Sequence, residues 1–139
     1  MGIFDSFNIN SSGLSLERIK LDTISTNIAN VNTTRTENGG PYRRKEVVFE
    51  ESLKQQTSNN VMKSYGVKTT GILEDQEVKR AYQPEHPDSD EYGYLELPNV
   101  NLSDEMINMM NTLRTYEANA SAFESSKNMM KKALEISKD

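Results

Sequence analysis

The sequence predicts an α+β protein: long N- and C-terminal helices pairing as an antiparallel coiled-coil-like bundle, with a small β-rich middle region. Three observations predict it. Apolar residues recur at alternating steps of three and four near both ends of the chain. Between them the pattern changes to short apolar runs punctuated by Gly and Pro. The C-terminal periodic stretch is also too long for a compact domain of a 139-residue chain. The expected division is residues 1–36 as N-terminal helix and turn, 37–100 as the β-rich middle with a mobile loop near 54–64, and 101–139 as the C-terminal helix.

In the N-terminal helix, Leu14, Leu21, Ile24, Ile28 and Val31 keep one apolar stripe on one side, and Phe7 extends it upstream. Asn10 and Glu17 interrupt the series. Ser11-Ser12-Gly13 predicts the firm start of the helix, leaving residues 1–10 loosely ordered. It fades at Asn30-Val31-Asn32-Thr33-Thr34, where Asn and β-branched Thr disfavour continuation.

Asn38-Gly39-Gly40-Pro41 predicts a turn. A strand follows over Tyr42–Phe49 and runs on toward Leu53, and residues 54–64, polar and poor in apolar anchors, read as loop. Gly66–Leu73 and Val78–Tyr82 read as strands, Pro84 and Pro87 enforce an extended loop, and Tyr92–Leu97 reads as a final short strand. The basic run Arg43-Arg44-Lys45, followed by Glu46, Glu50 and Glu51, reads as a solvated face.

In the C-terminal helix the stripe is Met106, Met109, Leu113, Tyr116, Ala120, Phe123, Met130 and Leu134, interrupted at Lys127. Asn101 or Ser103 is placed to cap it, with Asp104 and Glu105 near the positive end of the macrodipole and Lys131, Lys132 and Lys138 near the other. From Ser103 to Ser137 such a helix spans about 50 Å. Met106, Met109, Met110, Met129 and Met130 all fall in it. An adaptable contact surface and an ordinary Met-filled bundle core fit this spacing equally.

Composition excludes several classes of function. Hydrophobic residues make up 35% of the chain, below the roughly 45–50% usual for globular domains, so much of the apolar surface is expected to serve partners. The net charge of −5 comes from 21 acidic and 16 basic residues, and its acidity is concentrated between residues 61 and 100. A nucleic-acid partner is not expected without a basic face. No run approaches the ~20 apolar residues of a membrane span, so no membrane insertion is expected, and residues 1–7 lack the charged and apolar regions of a cleaved signal peptide.

There is no cysteine, which removes disulfides, thiolate metal sites and a thiol nucleophile. His86 is the single histidine and lies between Pro84 and Pro87, so a catalytic triad or a two-histidine metal site has little to build on. Asp88-Ser89-Asp90 imitates the start of a calcium loop, but the fifth and twelfth places hold Tyr92 and Asn99. No phosphate-binding glycine motif is present. The expectation is a chain with no enzymatic activity and no cofactor.

Ser25-Thr26-Asn27-Ile28-Ala29-Asn30-Val31-Asn32-Thr33-Thr34 resembles the signature that closes the N-terminal helix of flagellar axial proteins, the rod, hook and hook-associated subunits. Their shared core stands here as Asn27, Ile28, Ala29, Asn30, Asn32 and Thr33. Gly39-Gly40-Pro41-Tyr42-Arg43-Arg44-Lys45-Glu46-Val47-Val48-Phe49, Leu97-Pro98-Asn99-Val100-Asn101 and Tyr116-Glu117-Ala118-Asn119 are similar to the FlgC family of proximal rod proteins. The resemblance covers nearly the whole chain; the Asn59-Asn60 region departs from it.

The resemblance implies a structural subunit of the proximal rod of the bacterial flagellar basal body, serving motility. Such a subunit is exported unfolded by the flagellar type III apparatus without a cleaved signal peptide. It assembles with itself and with other rod and basal-body proteins in the periplasmic or wall-spanning rod, and it transmits torque from motor to hook. The residues expected to pair the helices are Leu14, Leu21, Ile24 and Ile28 with Met106, Met109, Leu113, Tyr116, Phe123 and Met130, and Asn27, Asn30 and Asn32 are expected to turn the chain out of the helix. A secreted helical adaptor outside the flagellum is the competing expectation; the β-rich middle and the Asn27–Thr33 run fit it poorly.

Overall fold

A computed structural model describes residues 3–56 and 61–136. Its elements are α1 (Ile3–Ala29), β1 (Lys45–Gln56), β2 (Val61–Glu74), β3 (Val78–Tyr82), β4 (Tyr94–Pro98) and α2 (Leu102–Ile136). The fold is α+β, with a terminal helix pair and two separate two-stranded antiparallel sheets, β1–β2 and β3–β4. α1 is the central element, packed against α2 on one side and against the β1–β2 hairpin on another.

α1 begins upstream of the expected start and continues through Ser11-Ser12-Gly13. Ser12 and Gly13 are contact points, and the stretch is not a helix start. The Ser12 hydroxyl donates to the Ile9 carbonyl at 2.8 Å and accepts the Val67 amide of β2 at 3.2 Å. A Cβ on Gly13 would stand 3.0 Å from the Asn119 side chain of α2. The end of α1 falls where Asn and Thr collect, and α2 begins after Asn101, whose side-chain oxygen accepts the Ser103 amide at 3.0 Å. At 35 residues, α2 is about 52 Å long.

The hairpin is longer than its composition suggests. β1 and β2 hold 12 and 14 residues and take up most of the stretch read as a loop over 54–64. Only residues 57–60 of that stretch lie outside the described residues. Antiparallel pairing runs from Lys45 opposite Glu74 to Gln56 opposite Val61, with irregularities after Val48 and after Glu51 that bend the ribbon. The hairpin meets α1 at Gly66, whose φ of +100° and lack of a side chain are both needed there. An added Cβ would stand 2.1 Å from the Ser12 hydroxyl oxygen and 3.2 Å from the Ile9 backbone. Farther along, the Lys20 ammonium lies 4.6 Å above the Phe49 ring.

β3 pairs with β4 from Val78 opposite Pro98 to Tyr82 opposite Tyr94. Gly93, at φ +80°, closes against Tyr82 and Pro84. The loop between the strands docks on the exit from α1, where Thr34 donates to the Asp88 carboxylate at 2.8 Å and Arg35 approaches it to 4.0 Å. Asp88, whose run only imitates a calcium loop, thus joins two loops. Among the described residues the buried apolar side chains are Leu16, Tyr42, Leu95 and Val100, with Pro41 and Pro98, a small core for a chain of this length. None of the described helices is long and apolar enough to cross a membrane.

Candidate assembly site: a polar hub and an inverted helix

Where the ends of the two helices meet, the most deeply buried side chains are polar. Asn27 of α1 and Glu105 of α2 are each 1% exposed. Asn27 uses its full amide capacity. Its Nδ2 donates to the Lys45 carbonyl at 2.8 Å and to Glu105 Oε2 at 3.2 Å. Its Oδ1 accepts the Tyr42 hydroxyl and the Lys45 amide, both at 2.9 Å. The other oxygen of Glu105 accepts Arg44 Nε at 2.8 Å. One side chain therefore ties α1, the segment entering β1, and α2 together, and the buried carboxylate is both paired and hydrogen-bonded.

The electrostatics follow from this enclosure. Burial acts to lower the Arg44 pKa, but the Glu105 hydrogen bond and the charges of Glu105, Glu46 and Asp75 outweigh it and raise it above its usual value. The Tyr42 phenol is raised, first by burial and then by the nearby charges of Glu74 and Glu105. A raised phenol contributes stability that is fully present below its unfolded pKa and lost as pH rises through the folded value. Stability is therefore expected to hold up to about pH 10 and to fall above it. Tyr42→Phe, which cannot ionise, is expected to flatten that alkaline fall, as urea-unfolding midpoints on either side of it will show.

From the hub the helices run antiparallel in register. Fourteen residues separate Asn27 from Gly13 on α1, and the same fourteen separate Glu105 from its counterpart Asn119 on α2. Along the face of α2 turned to α1, Glu105, Thr112, Asn119 and Ser126 recur every seventh residue, the first two buried and the others half-buried. Met109, Phe123 and Met130 are half-buried beside them, and Tyr116 is more exposed. The Phe123 ring packs on Phe7 at 4.1 Å between centroids. This is a heptad seam in which every second layer is polar, an arrangement that specifies register at a cost in stability.

The outer face of α2 carries an apolar strip over its first three turns. Met106, Met110 and Leu113 are 54%, 55% and 44% exposed, and Leu102 and Ile107 are exposed with them. In a self-sufficient globule a buried glutamate beside an exposed methionine strip would be the wrong way round.

Of the residues expected to pair the helices, Leu14, Leu21, Ile24, Ile28, Met109, Phe123 and Met130 are half-buried, and Ala120 lies beside the seam, also half-buried. Met106, Leu113, Tyr116 and Leu134 are exposed instead. The seam is turned by about one position because polar residues, not apolar ones, occupy its alternate layers. In α1 the fully buried positions are Leu16, Glu17, Thr23 and Asn27, since that helix is covered on two sides.

The motif residues divide their work. Asn27 is the cross-link, while Asn30 makes the helix exit, donating to the Thr26 carbonyl at 2.9 Å and accepting the Thr33 hydroxyl at 3.1 Å. Ile28 is half-buried, and Ala29 and Asn32 are exposed. Arg44, read as part of a solvated face, is instead the partner of the buried Glu105. Glu105, read as a helix-start charge, is the carboxylate of the hub. The sequence signal for the seam was the polar recurrence at 105, 112, 119 and 126. Beside the hub, a groove of about 300 Å³ opens between α1, β1 and α2, floored by Ile24, Val47 and Phe49. Among the described residues no group of three or more His, Asp or Glu side chains is placed to hold a metal ion.

Comparison with known proteins places this architecture. A family described as "Flagella basal body rod protein" matches residues 7–35, and one described as "Flagellar basal body rod FlgEFG protein C-terminal" matches residues 92–136. The chain is 42% identical to the flagellar basal-body rod protein FlgC of Borreliella burgdorferi, with 98% of each chain covered. The chain belongs to the FlgC family. It is also 39% identical to the FlgC protein of Bacillus subtilis over 99% of this chain and 100% of that one. With the FlgC protein of Escherichia coli O6:H1 it shares 33% identity over 98% of both. As a FlgC-family member it is a structural subunit of the flagellar basal-body rod. The two matched segments hold the two helices of the seam, and the hub joins one to the other.

Proposed function

We propose that the chain is a self-assembling subunit of the proximal rod, without catalytic activity, whose arms 1–36 and 101–139 form the rod wall by packing against neighbouring subunits. The observation that carries this reading is the inverted α2: a buried polar seam within the subunit and an exposed strip of Leu102, Met106, Met110 and Leu113 outside it. Leu14, Leu21, Ile24 and Ile28, with Met109, Phe123 and Met130, serve the pairing within the subunit. Met106, Leu113 and Tyr116 serve contacts between subunits. Because two different surfaces meet, the contacts are head-to-tail and generate a helix of subunits. The hub holds the two arms and the 37–100 region as one unit, so that torque applied to one is carried by all three.

Transit fits the same build. A chain with so few buried apolar side chains among its described residues has little hydrophobic stabilisation to lose, which suits passage through the flagellar export apparatus in an unfolded state. Burial of the outer strip by neighbours then adds apolar stabilisation on assembly. Deletion of the gene, complementation with the full chain and purification of hook–basal bodies test the reading. The expected result is loss of motility and of basal bodies, restoration of both by the chain, and the chain itself in the purified rods. Intact basal bodies in the deletion strain would overturn it and favour an adaptor outside the flagellum.

A further inference from the structure

α2 carries methionine at 106, 109, 110, 129 and 130, and the helix sorts them. Met109 and Met130 turn toward the seam and are half-buried. Met106, Met110 and Met129 face outward, 54%, 55% and 63% exposed. The two adjacent pairs, Met109-Met110 and Met129-Met130, are each split, one thioether protected and one open to solvent. Met106 and Met110 stand four residues apart, one turn along the same face, flanked by the exposed Leu102 and Leu113.

We propose that Met106, Met110 and Met129 are an oxidation site of the unassembled chain, taking oxygen from peroxide-class oxidants, and that sulfoxide at Met106 and Met110 blocks assembly. In the step a lone pair on Sδ attacks one peroxide oxygen and the O–O bond breaks. That oxygen stays on sulfur and the other leaves as water with both protons of the peroxide. Sulfur loses two electrons and the peroxide gains them. No protein acid, base or metal takes part, so accessibility of the thioether sets which methionines react. The product replaces an apolar, adaptable side chain with a polar, chiral one, and a two-electron reduction restores it. The selectivity rests on burial alone. The block on assembly rests also on the proposed packing of the outer strip.

The test has two arms. The purified full chain is treated with dilute hydrogen peroxide and sampled over time by peptide mass spectrometry, with helicity followed by circular dichroism. Met106, Met110 and Met129 are expected to gain oxygen several-fold faster than Met109 and Met130 while helicity is retained. Equal rates at all five overturn the site. In cells, Met106→Gln with Met110→Gln imitates the polarity of the sulfoxide, and Met106→Leu with Met110→Leu keeps the strip apolar. The Gln pair is expected to abolish swimming while its purified chain keeps a wild-type thermal midpoint, and the Leu pair is expected to swim. A swimming Gln pair or a non-swimming Leu pair overturns the block. Failure of the outer-strip packing is a separate result, since it shows as a swimming Leu113→Asp strain and leaves the oxidation rates untouched.

Discussion

An Asn27→Ala variant is expected to lose about 3–5 kcal/mol of stability and with it a cooperative unfolding transition near ambient temperature. The loss comes from what the alanine leaves behind. The Lys45 amide and carbonyl, the Tyr42 hydroxyl and one oxygen of Glu105 each lose a partner in the least exposed part of the molecule. Each stranded polar group costs about 1–3 kcal/mol when water does not reach it; water entering the space left by the amide keeps the total below their sum. Because the apolar core is small, little remains to hold α1 against α2. Asn27→Asp separates hydrogen bonding from shape. The carboxylate is isosteric and still accepts from Tyr42 and Lys45, but it has no donor for the Lys45 carbonyl and sets a second negative charge beside Glu105. It is therefore expected to unfold as readily as the alanine variant. Urea titrations followed by circular dichroism check both, and wild-type midpoints for both would show that the hub does not hold the fold.

The hub also marks where the sequence stopped being informative. Helix ends were legible because their causes are local: Asn and Thr collecting after Ala29, and Asn101 in position to cap α2. The rotation of the seam was half legible. A search for apolar steps of three and four finds Met106 and Leu113, which the single subunit leaves exposed. The polar column at 105, 112, 119 and 126 lies one position back and reads, residue by residue, as solvent-facing. Arg44 and Glu105 are 61 residues apart in sequence, and nothing in either neighbourhood announces the other. The hairpin misled for a different reason. In a two-stranded ribbon most side chains stay exposed, so polar residues suit its strands as well as its loop, and composition alone could not divide residues 54–64. At Ser11-Ser12-Gly13 small residues served close approach, to Val67 of the hairpin and to Asn119 of α2, where local reasoning saw a helix start.

Leu113→Asp is expected to abolish swimming while leaving the isolated subunit folded, and the contrast with Asn27→Ala separates the two halves of the structure. Leu113 is 44% exposed and belongs to the outer strip, so in the free chain the aspartate stays hydrated. Its cost there is the helix-propensity difference, about 0.5 kcal/mol. In the proposed packing against a neighbouring subunit the same carboxylate loses its water, which costs about 3–5 kcal/mol. At about 1.4 kcal/mol per tenfold in affinity, each such contact weakens by roughly two to four orders of magnitude, and an axial structure repeats that loss at every contact. Circular dichroism and thermal melting of the purified variant are expected to match wild type, whereas swimming-plate diameters and yields of hook–basal bodies are expected to fall to those of the deletion strain. A variant that melts early would place Leu113 inside the subunit after all. One that folds and swims would free the outer face of α2 from any part in the rod, and the exposed methionine strip would then need another partner.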